Sequence, residues 1–128
     1  MPAFGKRSRE RLRGVDMRLR NVLNEVVKHY DITILEGLRS KERQEELVAK
    51  GASKTMKSKH LEGMAVDIAP YPLPGWNDRD EFVYMAGRVM QQADVLKVAL
   101  RWGGDWNRNE RLKDNRFDDL VHFEVWDK

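Results

Sequence analysis

"SKHLEGMAVD", Ser58 to Asp67, carries a histidine and, seven residues later, an aspartate, with Gly63 and small apolar residues between them. The chain has only three histidines, and this one follows a lysine-rich approach. The continuation "MAVDIAPY" reads as a strand with Met64, Val66 and Ile68 on one face and Ala65, Asp67 and Ala69 on the other. A lone carboxylate among small residues on an otherwise apolar strand is costly to bury unless it is paired or binds a cation. His60 lies just upstream, where Gly63 permits the chain to turn back. A loop histidine and a strand aspartate then converge, either as a buried His–Asp hydrogen bond or as two ligands of one metal ion.

The flanking sequence supplies the other elements. Val15, Leu19, Val22, Leu23, Val26, Val27 and Tyr30 recur at helical spacing and predict an amphipathic helix over about 16–29. "DITILEG" alternates Ile32 and Ile34 against Thr33 and reads as a short strand. Ser40 is placed to cap a second helix that Gly51 ends. Pro70, Pro72, Pro74 and Gly75 stop the 64–70 strand, and Asp78 with Glu81 forms an acidic variant of the capping box. That box opens a long helix with Phe82, Ala86, Val89, Ala93 and Leu96 on its inner stripe. "LRWGGDW" and "LVHFEVW" read as the last two strands. This order predicts an α+β fold, a small and largely antiparallel sheet with helices packed on one side.

At 128 residues the chain is expected to be a single domain with a hydrophobic core, residues 1–7 forming a flexible basic arm. No apolar run reaches the roughly 18–20 residues of a membrane helix, so no membrane insertion is expected. The basic start lacks the apolar segment of a secretory signal, which predicts a protein left in the cytoplasm where it is made. With no cysteine, disulfides and thiolate chemistry are excluded, and a metal site must use histidine and carboxylate. Net charge is +3 and the pI about 9.3. The excess is local: seven Lys/Arg against two acids in Met1–Arg20, and four lysines without an acid in Lys50–Lys59. Such patches suit an anionic cell surface or a nucleic acid, or simply keep the surface solvated. Lys54, Lys57 and Lys59, with Arg7, Arg9, Arg11 and Arg13, are the candidate docking charges.

"FDDLVHFEVW" places His122 in an apolar strand with Asp119 three residues before it. His60, Asp67 and His122 together supply two imidazoles and one carboxylate, the ligand set of a catalytic zinc whose fourth position is left to water. A general base must then stand near that water, and Asp119 and Glu124 are the candidates. Arg39 in "EGLRS" is placed to stabilise an oxyanion or to hold a substrate carboxylate; its alternative role is a surface salt bridge. Trp76, Trp102, Trp106 and Trp126 read as core or rim aromatics, with Trp106 the one placed to face a cleft and bind substrate. His29 reads as a charge at a helix C-terminus or a surface group.

These segments resemble a known family. "SKHLEGMAVD" fits the S-x-H-x-x-G-x-A-x-D signature of the zinc D-Ala-D-Ala carboxypeptidases and dipeptidases. "LRWGGDW", "GLRS" and the terminal D-x-x-H-F are similar to the branch of phage L-alanyl-D-glutamate endopeptidases, endolysins that cut the peptidoglycan stem peptide. The resemblance runs from about Ser8 to Val125 with the motifs in family order. It implies one zinc held by His60, Asp67 and His122, Asp119 as base, Arg39 steadying the tetrahedral intermediate and Ser58 lining the substrate cleft. Asp118, beside Asp119, is set aside by the spacing of three residues to the last histidine. The resemblance further implies a peptidoglycan stem-peptide hydrolase of phage or prophage lysis, waiting in the host cytoplasm before it reaches the wall. A monomer with no nucleic-acid partner is expected. A D-alanyl-D-alanine carboxypeptidase or dipeptidase of the same family and a non-catalytic zinc-binding module remain the alternatives.

Overall fold

Asp67 and His122 face each other across two paired antiparallel strands, and the rest of the fold is arranged around that pairing. The computed structural model describes residues 3–53, 56, 58–111 and 119–126. Among them the order is α1 (Lys6–Arg11), α2 (Met17–Val27), β1 (Ile32–Glu36), α3 (Lys41–Ala49), a 3-10 turn (Lys59–Glu62), β2 (Ala65–Pro70), α4 (Arg79–Val95), β3 (Leu100–Gly103) and β4 (Asp119–Val125). The strands form one antiparallel sheet in the order β1-β2-β4-β3. This is the α+β architecture that the alternation of strand and helix patterns predicts.

The sheet has two unlike faces because side chains alternate along each strand. Val66 and Ile68 of β2, Phe123 and Val125 of β4 and Trp102 of β3 are buried in one core with Leu19, Val22, Leu23 and Val26 of α2 and Phe82, Met85, Ala86 and Val89 of α4. Cross-strand partners share a face, so Asp67 with His122, and Arg101 with Glu124, project to the opposite side. There α3 forms part of the rim: Gln44 and Leu47 stand beside that cleft. Polar chemistry is thereby held to one face, and the apolar contacts that hold the sheet to the other.

Several sequence expectations change in detail. The stretch read as a basic arm over 1–7 is folded from Phe4 onward: Phe4 is buried in the core and α1 begins at Lys6. The helix has too few apolar residues for a periodic signal and is pinned by side chains instead. The Ser8 hydroxyl accepts from the Ile34 amide (3.1 Å), and Arg11 donates to the Ile34 carbonyl (2.8 Å). Asp78 does stand at the start of α4, but its side chain makes no capping hydrogen bond, and Leu96 falls at the exposed helix end rather than on the inner stripe. The Ser40 cap is present, its hydroxyl accepting from the Arg43 amide, and the backbone of Gly51 takes a positive φ just beyond α3.

The glycine of the opening motif has a physical reason. Gly63 closes the 3-10 turn with φ of 71°, its carbonyl accepts from the Asp16 amide (2.8 Å), and a Cβ here would lie 2.2 Å from the Gly14 carbonyl oxygen. The turn carrying His60 is thus packed directly on the backbone that leads into α2. Gly63→Ala combines a left-handed backbone with a backbone clash, and it should lower stability by roughly 1–3 kcal/mol. Urea unfolding of the variant checks this; an unchanged midpoint would mean that the turn can move away from Gly14 freely.

Candidate active site

The site begins with the capped turn after Ser58. The Ser58 hydroxyl accepts from the His60 amide (3.2 Å), and the Arg39 amide donates to the His60 carbonyl (2.9 Å). His60 is buried, and its Nδ1–H donates to the Gly37 carbonyl oxygen (2.9 Å). A carbonyl can only accept, so Nδ1 carries a proton there, and Nε2 is the nitrogen turned to the site, 3.2 Å from Asp67 Oδ1. His122 is arranged the other way round. Its Nε2–H donates to Glu124 Oε1 (2.8 Å), leaving Nδ1 at 3.2 Å from the same Asp67 oxygen. Each imidazole thus spends one nitrogen on an orienting acceptor and aims the other at a shared point.

These three donor atoms lie within 4.8 Å of one another. Ligands about 2.0–2.1 Å from a tetrahedral zinc stand about 3.3 Å apart, close to the two separations at Asp67 Oδ1. The donor set and its spacing therefore fit such an ion. The surrounding cleft has a volume of about 670 Å³, and Arg39, Ser58, Trp106 and Asp119 line it together with the cluster. His60, Asp67, His122, Asp119, Arg39, Ser58 and Trp106, and the second base candidate Glu124, all line this one cavity.

The electrostatics follow from burial and pairing. Burial pushes the Asp67 carboxyl up, but hydrogen bonds from His122 and His60, together with their charge, hold it well below the usual range. Burial lowers His122, and its bonds to Asp67 and Glu124 outweigh this and raise it to about 9. Glu124 is likewise raised by burial yet brought down to about 2 by His122 and Arg101. Asp119 is raised, by burial and then by the negative charge of Asp67.

Sequence reasoning left Glu124 open as the base, and the structure gives both of its oxygens other partners. One oxygen accepts from His122, and the other accepts from Arg101 Nη2 (2.8 Å) and Nε (3.2 Å). Both carboxylate oxygens of Glu124 are thus already engaged, one by the ring it orients and the other by a guanidinium. The Arg101 guanidinium in turn lies over the rings of Trp106 (5.3 Å) and Trp126 (4.8 Å). Trp106 also packs beside His122, with ring centroids 5.4 Å apart. Arg39 is not a surface group: its guanidinium is held by Glu36 and by Gln44 Oε1 (2.7 Å) and stands 3.8 Å from Asp67 Oδ2. Gln44, itself buried, donates on to Ser53 (2.8 Å).

Glu36, Gln44 and Arg101 went unnoticed in the sequence. Only the placement of Glu124 two residues after His122, on the same strand face, was there to be read. His29 is exposed in a separate groove with Tyr84 and Arg88. Lys59, expected as a docking charge, is turned inward to the Val125 carbonyl and lies 3.5 Å from Glu124, while Lys54, Lys57 and Asp118 lie outside the described residues.

The fold is shared with solved peptidases. The L-Ala D-Glu endopeptidase ChiX of Serratia marcescens superposes with a TM-score of 0.80 at 33% identity, covering 97% of this chain and 90% of that one. The vancomycin-resistance D,D-pentapeptidase VanY, solved with Zn(II), shares the fold at a TM-score of 0.53 and 17% identity over 87% of this chain and 72% of its own. Fold and site together define a peptidase. At the sequence level, residues 2–126 match the model of the phage L-alanyl-D-glutamate peptidase family. The L-alanyl-D-glutamate peptidase of Escherichia phage T5 is 36% identical over 112 residues, 81% of each chain. The chain belongs to the phage L-alanyl-D-glutamate peptidase family.

A pH dependence follows for the metal-free protein. His122 titrates at about 9 folded against roughly 6.5 unfolded. Its contribution to stability is full below the lower value and is lost as pH rises through the upper one. Glu124, at about 2 folded and roughly 4.5 unfolded, contributes above the upper value and is lost as pH falls toward the lower. Urea midpoints measured in chelator should therefore peak between about pH 4.5 and 6.5 and decline toward pH 9, and a flat profile from 6 to 9 would contradict the His122 pairing.

Proposed function

We propose that this chain is a zinc-dependent peptidoglycan hydrolase that cuts the L-alanyl-D-glutamate bond of the stem peptide, acting at the cell wall as a phage or prophage endolysin. The observation that carries the reading is the convergence of His60 Nε2, His122 Nδ1 and Asp67 Oδ1 on one point of a cleft that also holds Asp119 and Arg39. In this reading His60, Asp67 and His122 hold the ion. When bound, zinc polarises the substrate carbonyl and lowers the pKa of water toward about 7.

The chain's own residues supply the rest. Asp119, raised by burial and by Asp67, is suited to a carboxylate that takes up a proton and returns it. It accepts the proton of the attacking water as oxygen bonds to the alanyl carbonyl carbon. It then delivers that proton to the glutamyl nitrogen as the C–N bond breaks, leaving an alanine carboxylate and a free amine. Arg39, fixed by Glu36 and Gln44, presents its guanidinium beside Asp67, where negative charge develops on the carbonyl oxygen. Ser58 serves by capping the turn that positions His60, and Trp106 forms a wall of the cleft beside His122.

Two outcomes test the assignment. Purified protein should carry about one zinc per chain, and His122→Ala should lose it; full zinc retention by elemental analysis would remove His122 from the ligand set. Asp119→Ala should keep zinc and fold while losing on the order of 10²–10⁴ in rate. Mass spectrometry of digested muropeptides, with and without chelator, reads the bond. New L-alanine C-termini support the endopeptidase, free D-alanine would identify a carboxypeptidase, and neither product would leave a zinc module without catalysis.

A further inference from the structure

A second cavity, of about 350 Å³, opens beside the first and is lined by Trp76, Arg79, Phe82, Asp119, Leu120 and Val121. Asp119 lines both cavities, so the two adjoin at this residue. Trp76 is 66% exposed, a large apolar surface to leave in water. Its ring is stacked on Phe82, with centroids 5.8 Å apart and planes 18° from parallel. Phe82 is buried in the core at the start of α4, so the exposed ring has a rigid backing. Arg79, one turn before Phe82, adds an exposed guanidinium to the same pocket.

We propose that this cavity is a substrate subsite for the glutamyl side of the cleaved peptide, with Arg79 pairing a glutamyl carboxylate and Trp76 covering the aliphatic part; the inference rests on the hydrolytic reading given above. The direction comes from proton transfer. The group that protonates the leaving nitrogen must lie beside it, so the amine-side residue passes Asp119 and enters the cavity beyond. In an L-alanyl-D-glutamate bond the glutamyl residue gives its amino group to the amide, and both its carboxyls lie on that amine side. Any carboxyl not used in a further amide is anionic at neutral pH. Such an anion beside Asp119 needs a cation, and a guanidinium at the pocket wall supplies paired donors to a carboxylate. An aromatic platform beside an arginine, at the edge of a reactive cleft, is also the composition that concentrates binding energy.

The test uses the zinc-bound protein and two soluble stem peptides, one with its glutamyl carboxyl free and one with that carboxyl amidated. Arg79→Gln should raise KM for the free-acid peptide about three- to tenfold with kcat near wild type, and should leave the amidated peptide unchanged. Trp76→Ala should raise KM for both. Equal effects of Arg79→Gln on the two peptides, or none, would overturn the carboxylate pairing. A second readout needs no turnover: the glutamyl-side product peptide is added and the Trp76 indole N–H resonance, assigned with Trp76→Phe, is followed by NMR. A saturable shift supports the subsite, and the absence of any shift overturns it. A shift in a protein that cleaves neither peptide would keep the subsite and sink the hydrolytic reading, so the two failures are separable.

Discussion

A carboxylate that is mostly shielded from water on an apolar strand cannot stand alone, and Asp67 organises this molecule through the partners that it requires. Its Oδ1 is shared by two imidazoles, and its Oδ2 faces the Arg39 guanidinium. Isolated charge in a low-dielectric setting is costly by several kcal/mol. Here the cost is offset by groups brought from four parts of the chain: the loop after Gly37, the 3-10 turn, β2 and β4. Antiparallel pairing of β2 with β4 sets Asp67 opposite His122, so the register of the sheet and the geometry of the site are one constraint. A slip by one residue would turn His122 into the helix-packed core and Phe123 into the cleft.

The same principle extends outward as a relay of fixed acceptors and donors. The Gly37 carbonyl orients His60, and Glu124 orients His122. Arg101 neutralises Glu124 and is itself stacked between Trp106 and Trp126. Each imidazole thus has one nitrogen fixed on an orienting acceptor and the other aimed inward at Asp67, the preorganisation that a metal site needs from its surroundings. The apolar face does the complementary work. Its contacts with α2 and α4 hold the strands, and the polar face is left to chemistry.

Much of this was legible in the sequence. Alternation in 64–70 placed Asp67 opposite to Val66 and Ile68, the helical stripe of 15–30 found α2, and Ser40 with Gly51 bounded α3. The family motifs singled out His60, Asp67, Asp119, His122, Arg39 and Ser58, and all of them line one cleft. The misses share a cause. The helix α1 has almost no apolar period and is held by the Ser8 hydroxyl and the Arg11 guanidinium on the Ile34 backbone, contacts 23 and 26 residues apart. Lys59 looked like a solvent charge because its acceptors, Val125 and Glu124, lie at the other end of the chain.

What the sequence determined by itself was what near neighbours impose: strand and helix periods, caps, a turn that only glycine permits, and residue types able to bind a metal. Which partners each carboxylate meets was decided by tertiary structure. Asp119 and Glu124 are equally acidic residues on one strand, three before and two after His122. Only the approach of Arg101 from β3 and of the His122 ring commits Glu124 to support, leaving Asp119 at the junction of the two cavities. Local sequence carries dihedral preferences and side-chain direction. Charge pairing acts through space, and the partners meet only when the sheet has closed.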